Sequence, residues 1–438
     1  MTTIAQPLPR LASGGPSVRA TLASIGVWLL RILGALLVAV LAIPVPLLFV
    51  VTAVPLYLAI ALALADVGLL VAFAGLRRTR LVVAGLFAGV IAVSFAAVWL
   101  SQLFAYTPPI IDREGRALPG SIAVMETIRL GGTEQWVTIR GRDQSNPVLL
   151  FLAGGPGGSE LAHVRNQMPA LEDHFVVVNW DPANAGKSYG VLPYSELTLD
   201  RVVSDAHELT LLLRERFADE KIFLFGESGG TVIGVKLIQR YPELYAAWIG
   251  TGQRTIVHED DLMGYDFALR YAAERGDTAS VETLRQNGPP PYTGWNMFWK
   301  NAQYLMVLNE YGAANSRHED TGHDQFGDWL TGPEYGLLDR LNVFRGLWEG
   351  FTKLYPEHDA IDFSTQATRL SVPVYFVQGR YDVVEMSSLL ERWFAVVEAP
   401  HKEIVYAEYS AHTPNGWEPS VVFDVLVNRA LAQNRPVR

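Results

Sequence analysis

The chain has 438 residues, half of them hydrophobic, a formal net charge of −10 and no cysteine. Disulfides, thiolate-bound zinc and a cysteine nucleophile are therefore excluded, and the acidic balance argues against nucleic acid or an anionic surface as partner of the polar part. Charge is segregated: residues 20–105 carry only Arg31, Asp66, Arg77, Arg78 and Arg80, and nearly all other charge lies beyond residue 110.

The apolar part divides into three stretches, residues 32–52, 55–75 and 81–103. Each is close to the ~20 residues needed to cross a bilayer core, and none is as short as the apolar core of a signal peptide, ~7–15 residues. Residues 32–105 thus read as a multi-pass membrane region with the lipid bilayer as partner, and Trp99 and Tyr106 stand where interfacial aromatics are expected. Arg10, Arg19 and Arg31 precede the first stretch, and Arg77, Arg78 and Arg80 fill the turn before the third. With three crossings both groups share one side, which the positive-inside rule makes the cytoplasm. Residues 1–31 are then cytoplasmic and the C-terminal part extracytoplasmic. Pro44, Pro46 and Pro55 blur the first hairpin, and a single crossing over residues 32–75 would reverse that sidedness. Asp66, inside the second stretch, fits a buried polar contact between spans better than a relay, because no second ionisable group lies near it in sequence.

Residues 106–120, rich in Pro, Gly and charge, form a linker. Beyond it, β-rich runs at 124–130, 135–140, 148–152 and 175–180 precede a helical pattern over 198–217, a strand at 222–225, a helix at 231–240 and a strand at 245–250. Alternation resumes with strands at 374–377 and 404–406, a helix near 387–397 and a last helix from about 419. Near-continuous apolar strands alternating with helices predict an α/β fold, a mostly parallel sheet covered on both faces. Residues 121–250 and 371–438 would build it. Residues 251–370, helical in pattern and aromatic, would be an insertion over the carboxyl edge of the sheet, where ligands bind in such folds.

Gly226-Glu227-Ser228-Gly229-Gly230 lies between a predicted strand and a predicted helix. Small neighbours allow a tight strand-to-helix turn that exposes the Ser228 hydroxyl, and the helix N-terminus supplies amides and a positive dipole end for an oxyanion. Upstream, Ala153-Gly154-Gly155-Pro156-Gly157-Gly158 follows another strand, so the amides of Gly155 and Gly229 would form a two-donor oxyanion hole. An acid is expected after a late strand and a histidine after the last one. Asp382 and His412 occupy those places, with Glu385 as the fallback acid. His412 would take the proton of Ser228, and Asp382 would hold the imidazole's tautomer.

From about residue 124 onward the chain resembles the α/β-hydrolase superfamily, and more narrowly the proline iminopeptidases. Those carry a His-Gly-Gly-Pro-Gly turn, an Asp-Gln-Arg-Gly-x-Gly-x-Ser loop and a Gly-x-Ser-x-Gly elbow. The counterparts here are Gly154-Gly155-Pro156-Gly157, then Asp181-Pro182-Ala183-Asn184-Ala185-Gly186-Lys187-Ser188, then the elbow at Ser228. Ala153 replaces the family's histidine, and the loop lacks its arginine. The resemblance implies a serine hydrolase acting through an acyl-enzyme, an aminopeptidase first, with no cofactor or metal. A membrane-associated esterase or lipase is the neighbouring reading. A membrane-tethered binding protein that kept the fold without catalysis is the reading from another class, and labelling of Ser228 by a phosphonate would exclude it.

In the insertion, Trp295, Phe298 and Trp299, with Tyr304 and Tyr311, are candidates for an apolar substrate wall. In Glu259-Asp260-Asp261, the resemblance implies that Glu259 and Asp260 bind a substrate amino group, against the plainer reading of a solvated helix start. His318-Glu319-Asp320 with His323-Asp324 has ligand-type residues, but its polar, loop-like surroundings read as surface rather than a metal site.

Overall fold

The computed structural model describes residues 18–74, 80–319 and 332–435, which fall into two compact units. Arg10, Arg77, Arg78, Asp320, His323 and Asp324 lie outside the described residues. The first unit holds the apolar helices Val18–Ala42, Pro44–Val51, Leu56–Ala74 and Arg80–Leu103, except for their ends at Val50–Val51 and Ser101–Leu103, which belong to the second. Three candidate membrane spans run over Ile32–Val51, Leu56–Phe73 and Leu81–Leu103. The first is a broken helix. It turns at Ile43, where Pro44 withholds a backbone donor and opens a new helix. Asp66 is buried within this unit, and Ser94 hands its hydroxyl proton to the Val90 carbonyl at 2.8 Å.

The second unit is built on an eight-stranded sheet in the order β1-β2-β4-β3-β5-β6-β7-β8. The strands are β1 Ile122–Leu130, β2 Thr133–Gly141, β3 Val148–Leu152, β4 Val176–Trp180, β5 Ile222–Glu227, β6 Tyr245–Thr251, β7 Val374–Gly379 and β8 Lys402–Ala407. β2 pairs antiparallel with β1 and β4, and every other pairing is parallel. The inner strands are buried on both faces because alternate residues point to opposite sides. Leu150, Leu152, Ile222 and Leu224 join one core with Val202, Leu209 and Val235 of the helices Leu199–Phe217 and Gly229–Arg240. Phe151, Val177, Phe223 and Phe225 join the other, with Val164, Leu171, Val422 and Leu426. Thr198 caps the first of these helices, its hydroxyl accepting from the Arg201 amide at 3.1 Å.

Between β6 and β7 the chain leaves the sheet as the helices Val257–Glu274, Thr278–Asn287, Met297–Asn315 and Leu337–Lys353. They enclose a separate core of Tyr265, Ala268, Tyr292, Tyr304, Leu308 and Tyr355. The last helical run does not continue as one α-helix from residue 419: Pro419–Phe423 is α-helical, and Asp424–Leu431 is wound as a π-helix.

Candidate active site

Three loops at the carboxyl edge of the sheet bring Ser228, Asp382 and His412 together. Ser228 follows β5 with φ +47° and ψ −122°, a conformation that a side-chain-bearing residue holds only under constraint. The constraint is local. The Ser228 amide donates to the Thr251 carbonyl of the neighbouring strand at 2.9 Å, and the Thr231 amide closes the first helical turn on the Ser228 carbonyl at 2.9 Å. The Ser228 Oγ lies 2.9 Å from His412 Nε2, and His412 Nδ1 lies 3.2 and 3.3 Å from the Asp382 oxygens.

Asp382 is buried and fully engaged: its Oδ1 accepts from the amides of Val384 and Glu385, both at 2.9 Å, and its Oδ2 from Gln378 Nε2 at 3.1 Å. These donors fix the carboxyl plane toward the imidazole. The His412 loop is braced by Glu418, which accepts from the Tyr409 amide at 2.7 Å and the Ser410 hydroxyl at 2.6 Å. Burial opposes a charge on His412, but Asp382, aided by Glu385 and Glu227, outweighs it and raises the imidazole pKa above its ordinary value.

Gly155 and Gly229 meet beside Ser228. Gly155 has φ +133°, which only glycine adopts without strain, and a Cβ on Gly229 would come 2.3 Å from the Gly155 carbonyl oxygen. Neither position accepts a side chain. The Gly229 amide, in the first turn of its helix, has no intrahelical carbonyl to bind and is available as a donor. Behind the serine, the Asn415 amide nitrogen donates to Glu227 and sits 2.7 Å from His163 Nε2, while Thr251 Oγ1 donates to Asn415 Oδ1 at 3.0 Å. Glu160, His163 and Glu227 bring one donor atom each within 4.8 Å of one another. That spacing would admit a cation, but Asn415 already bridges two of the three, so the group reads as a hydrogen-bonded floor.

Two clefts meet at Ser228. The larger, about 470 Å³, is lined by Gly155, Glu227, Ser228, Asn309, Leu347, His412 and Trp417. The smaller, about 200 Å³, runs under the helical insertion past Arg254, Asp261, Tyr304, Phe351, Tyr355 and Glu385. Arg254 pairs there with Glu385 at 2.8 Å and Asp261 at 3.3 Å, and Tyr355 donates to Asp261. Burial pushes Asp260 up to about 7, against the Glu385 hydrogen bond, the Met386 amide and Arg254. Burial likewise raises Glu385 well above the carboxylate range, with Arg254 opposing and Asp260 reinforcing.

The expected insertion residues fall differently. Glu259 points outward to Arg392 at 2.7 Å, and Asp260 is buried with its Oδ1 on the Met386 amide, so Asp261 is the member of that run that reaches the cleft. One helical residue turns the direction by about 100°, which separates the three side chains. Trp295 and Trp299 are 81% and 60% exposed, and neither lines a cleft at Ser228. Phe298 stands behind the wall, edge-on to Phe351 at 5.9 Å. The aromatic wall is Tyr304, Phe351 and Tyr355 instead. Glu385 is spent on Arg254 rather than on His412. His318 stacks on Trp417, and Glu319 accepts from Ser420, which gives both a structural partner. Arg254 escaped sequence reasoning. Its only signal was a lone cation directly after a buried strand.

Residues 147–287 match the family model described as alpha/beta hydrolase fold. The chain is 28% identical over 312 residues to a protein named "Probable aminopeptidase YbaC" of Bacillus subtilis (strain 168), covering 71% of this chain and 97% of that one. It is 22% identical over 293 residues to a "Probable proline iminopeptidase" of Leptolyngbya boryana, covering 62% and 83%. The crystal structure of VinJ superposes with a TM-score of 0.52 at 16% identity, over 70% of this chain and 98% of that one. Sheet order, the turn at Ser228 and these matches define a hydrolase of the α/β-hydrolase fold. Within that class the chain is proline iminopeptidase-like, with apolar helices ahead of the hydrolase unit.

Proposed function

We propose that the protein cleaves acyl bonds through an acyl-enzyme on Ser228. The observation that carries this reading is the unbroken hydrogen-bonded chain Asp382–His412–Ser228, with spacings of 3.2 and 2.9 Å. As Ser228 Oγ bonds to the substrate carbonyl carbon, its proton passes to His412 Nε2, and the amides of Gly155 and Gly229 hold the oxyanion. Collapse breaks the scissile bond, and the leaving group departs with the proton from His412. Water then repeats the sequence on the ester, with His412 as base, and frees the acid and Ser228. Asp382 keeps the proton of neutral His412 on Nδ1 and stabilises the imidazolium.

The substrate in this reading is a peptide with a free amino terminus. The names of the two curated relatives support it, as does Asp261 in the smaller cleft, since a carboxylate suits an ammonium group. The helical insertion is taken as a lid over the cleft. The three apolar spans would cross a cell membrane and carry the hydrolase unit on its extracytoplasmic side, following the arginines at 10, 19, 31, 77, 78 and 80.

Labelling the full-length protein with a fluorophosphonate tests the chemistry: the wild type should label and Ser228→Ala should not, and a folded wild type that fails to label removes the proposal. Comparing an amino-terminal prolyl amide with a short acyl ester tests the substrate. Faster turnover of the ester would move the assignment to an esterase.

A further inference from the structure

The helix Leu337–Lys353 is apolar on the side that faces away from the protein. Leu338, Leu341, Phe344 and Trp348 are 42%, 55%, 44% and 43% exposed. At 3.6 residues per turn they fall within an arc of about 120° along about 15 Å of helix, an arc they share with Arg345 and Thr352. The opposite side is fully used: Val343, Gly346 and Gly350 are buried, and Leu347 and Phe351 wall the Ser228 clefts. A surface helix on a water-soluble domain puts polar residues outward, so this inversion calls for an apolar neighbour.

The start of the helix is fastened, inside the hydrolase unit, to segments that continue directly into the apolar helices. The Leu337 amide donates to Ser101 Oγ at 2.9 Å, and Gln102 Nε2 donates to Asp339 Oδ1 at 2.8 Å. The Arg340 guanidinium donates to the Val51 carbonyl, and the Tyr106 amide to the Pro333 carbonyl at 3.0 Å. Candidate spans end at Val51 and Leu103. The stripe therefore begins beside both points where the chain would leave the bilayer on one side. Its flanks have the composition of an interface: the Arg345 guanidinium lies 4.2 Å from the Tyr189 ring centre and Lys353 Nζ 5.5 Å from that of Tyr194.

We propose that Leu338, Leu341, Phe344 and Trp348 seat the Leu337–Lys353 helix in the headgroup and acyl boundary of the membrane that the N-terminal helices span. The inference rests on the membrane reading above. Because the helix's inner face walls the cleft, this seating holds the mouth of the active site at the lipid surface, within reach of substrates that partition into the bilayer.

The absence of cysteine allows single labels. Full-length protein carrying Leu341→Cys or Trp348→Cys, labelled with an environment-sensitive nitrobenzoxadiazole dye, is placed in phosphatidylcholine nanodiscs with and without doxyl-labelled lipid. Labels at Phe95→Cys, in the third candidate span, and Leu211→Cys, on the exposed side of Leu199–Phe217, serve as references. The expected result is at least twofold quenching at positions 341, 348 and 95, with none at 211. Quenching at 95 without quenching at 341 and 348 overturns this inference and leaves the membrane reading standing. A blue-shifted but unquenched label at 341 overturns it too, because protein (a second copy of the chain, for instance) then covers the stripe. No quenching at 95 overturns both.

Discussion

The rim of the sheet and the helical insertion face each other across the same clefts, yet they are built on opposite terms. At the rim the backbone carries the function: Ser228 at φ +47°, Gly155 at φ +133° and the close approach of Gly229 to the Gly155 carbonyl leave no slack. In the insertion the side chains carry it, through Arg254, which pairs with Asp261 and with Glu385 of the loop after β7, and through Tyr304, Phe351 and Tyr355 as a wall. A rim defined by dihedral angles tolerates almost no substitution, while a pocket defined by side chains can change its ligand without losing its chemistry. On the proposed reading, the difference separates where reaction and selectivity reside.

That contrast can be broken by experiment, beginning at the rim. Ser228→Ala should lower kcat by about a million-fold, as loss of a serine nucleophile does elsewhere, with circular dichroism unchanged. Asp382→Asn should cost about 10⁴-fold, since the amide favours the wrong tautomer of His412. The pH profile sharpens this point. His412 acts as a base only when neutral, and its pKa is raised, so kcat/KM of the wild type should climb with pH through a midpoint above about 6.5. In Asp382→Asn the supporting carboxylate charge is gone, and the midpoint should move to lower pH. An unshifted midpoint would remove His412 from the role of base. Gly229→Ala should reduce kcat by roughly 10²-fold or more, because the Cβ displaces the Gly155 carbonyl and with it the oxyanion donors.

Effects in the insertion should be smaller and fall on binding. Asp261→Asn should raise KM for an amino-terminal peptide about tenfold, on the scale of one charge-assisted hydrogen bond, with kcat changed far less. An equal loss in kcat would mean that Asp261 belongs with the rim. Trp295→Ala, at an exposed site away from the clefts, should change kcat/KM by less than about twofold.

Much of this was legible in the residues. Apolar runs such as Val148–Leu152 and Ile222–Phe225 announced buried strands, because a parallel sheet covered on both faces leaves its inner strands no polar side. Ser228, Asp382 and His412 could be picked out because each lies at or just beyond a strand's carboxyl end, which dictates where the next residues emerge. The insertion gave no such anchor. Glu259, Asp260 and Asp261 are adjacent in sequence, but their helix turns one to solvent, one to the Met386 amide and one to the cleft.

Composition and period therefore determined the two-part chain, the three apolar stretches, the α/β alternation and the candidate nucleophile, acid and base, because each is a local property of sequence. Tertiary structure alone decided that Arg254 neutralises Glu385 and Asp261, that Tyr304, Phe351 and Tyr355 form the wall in place of Trp295 and Trp299, and that one helix turns leucine and tryptophan outward. Those outcomes depend on which face of each helix the sheet and its neighbours leave uncovered, and that is settled by packing between segments a hundred residues apart.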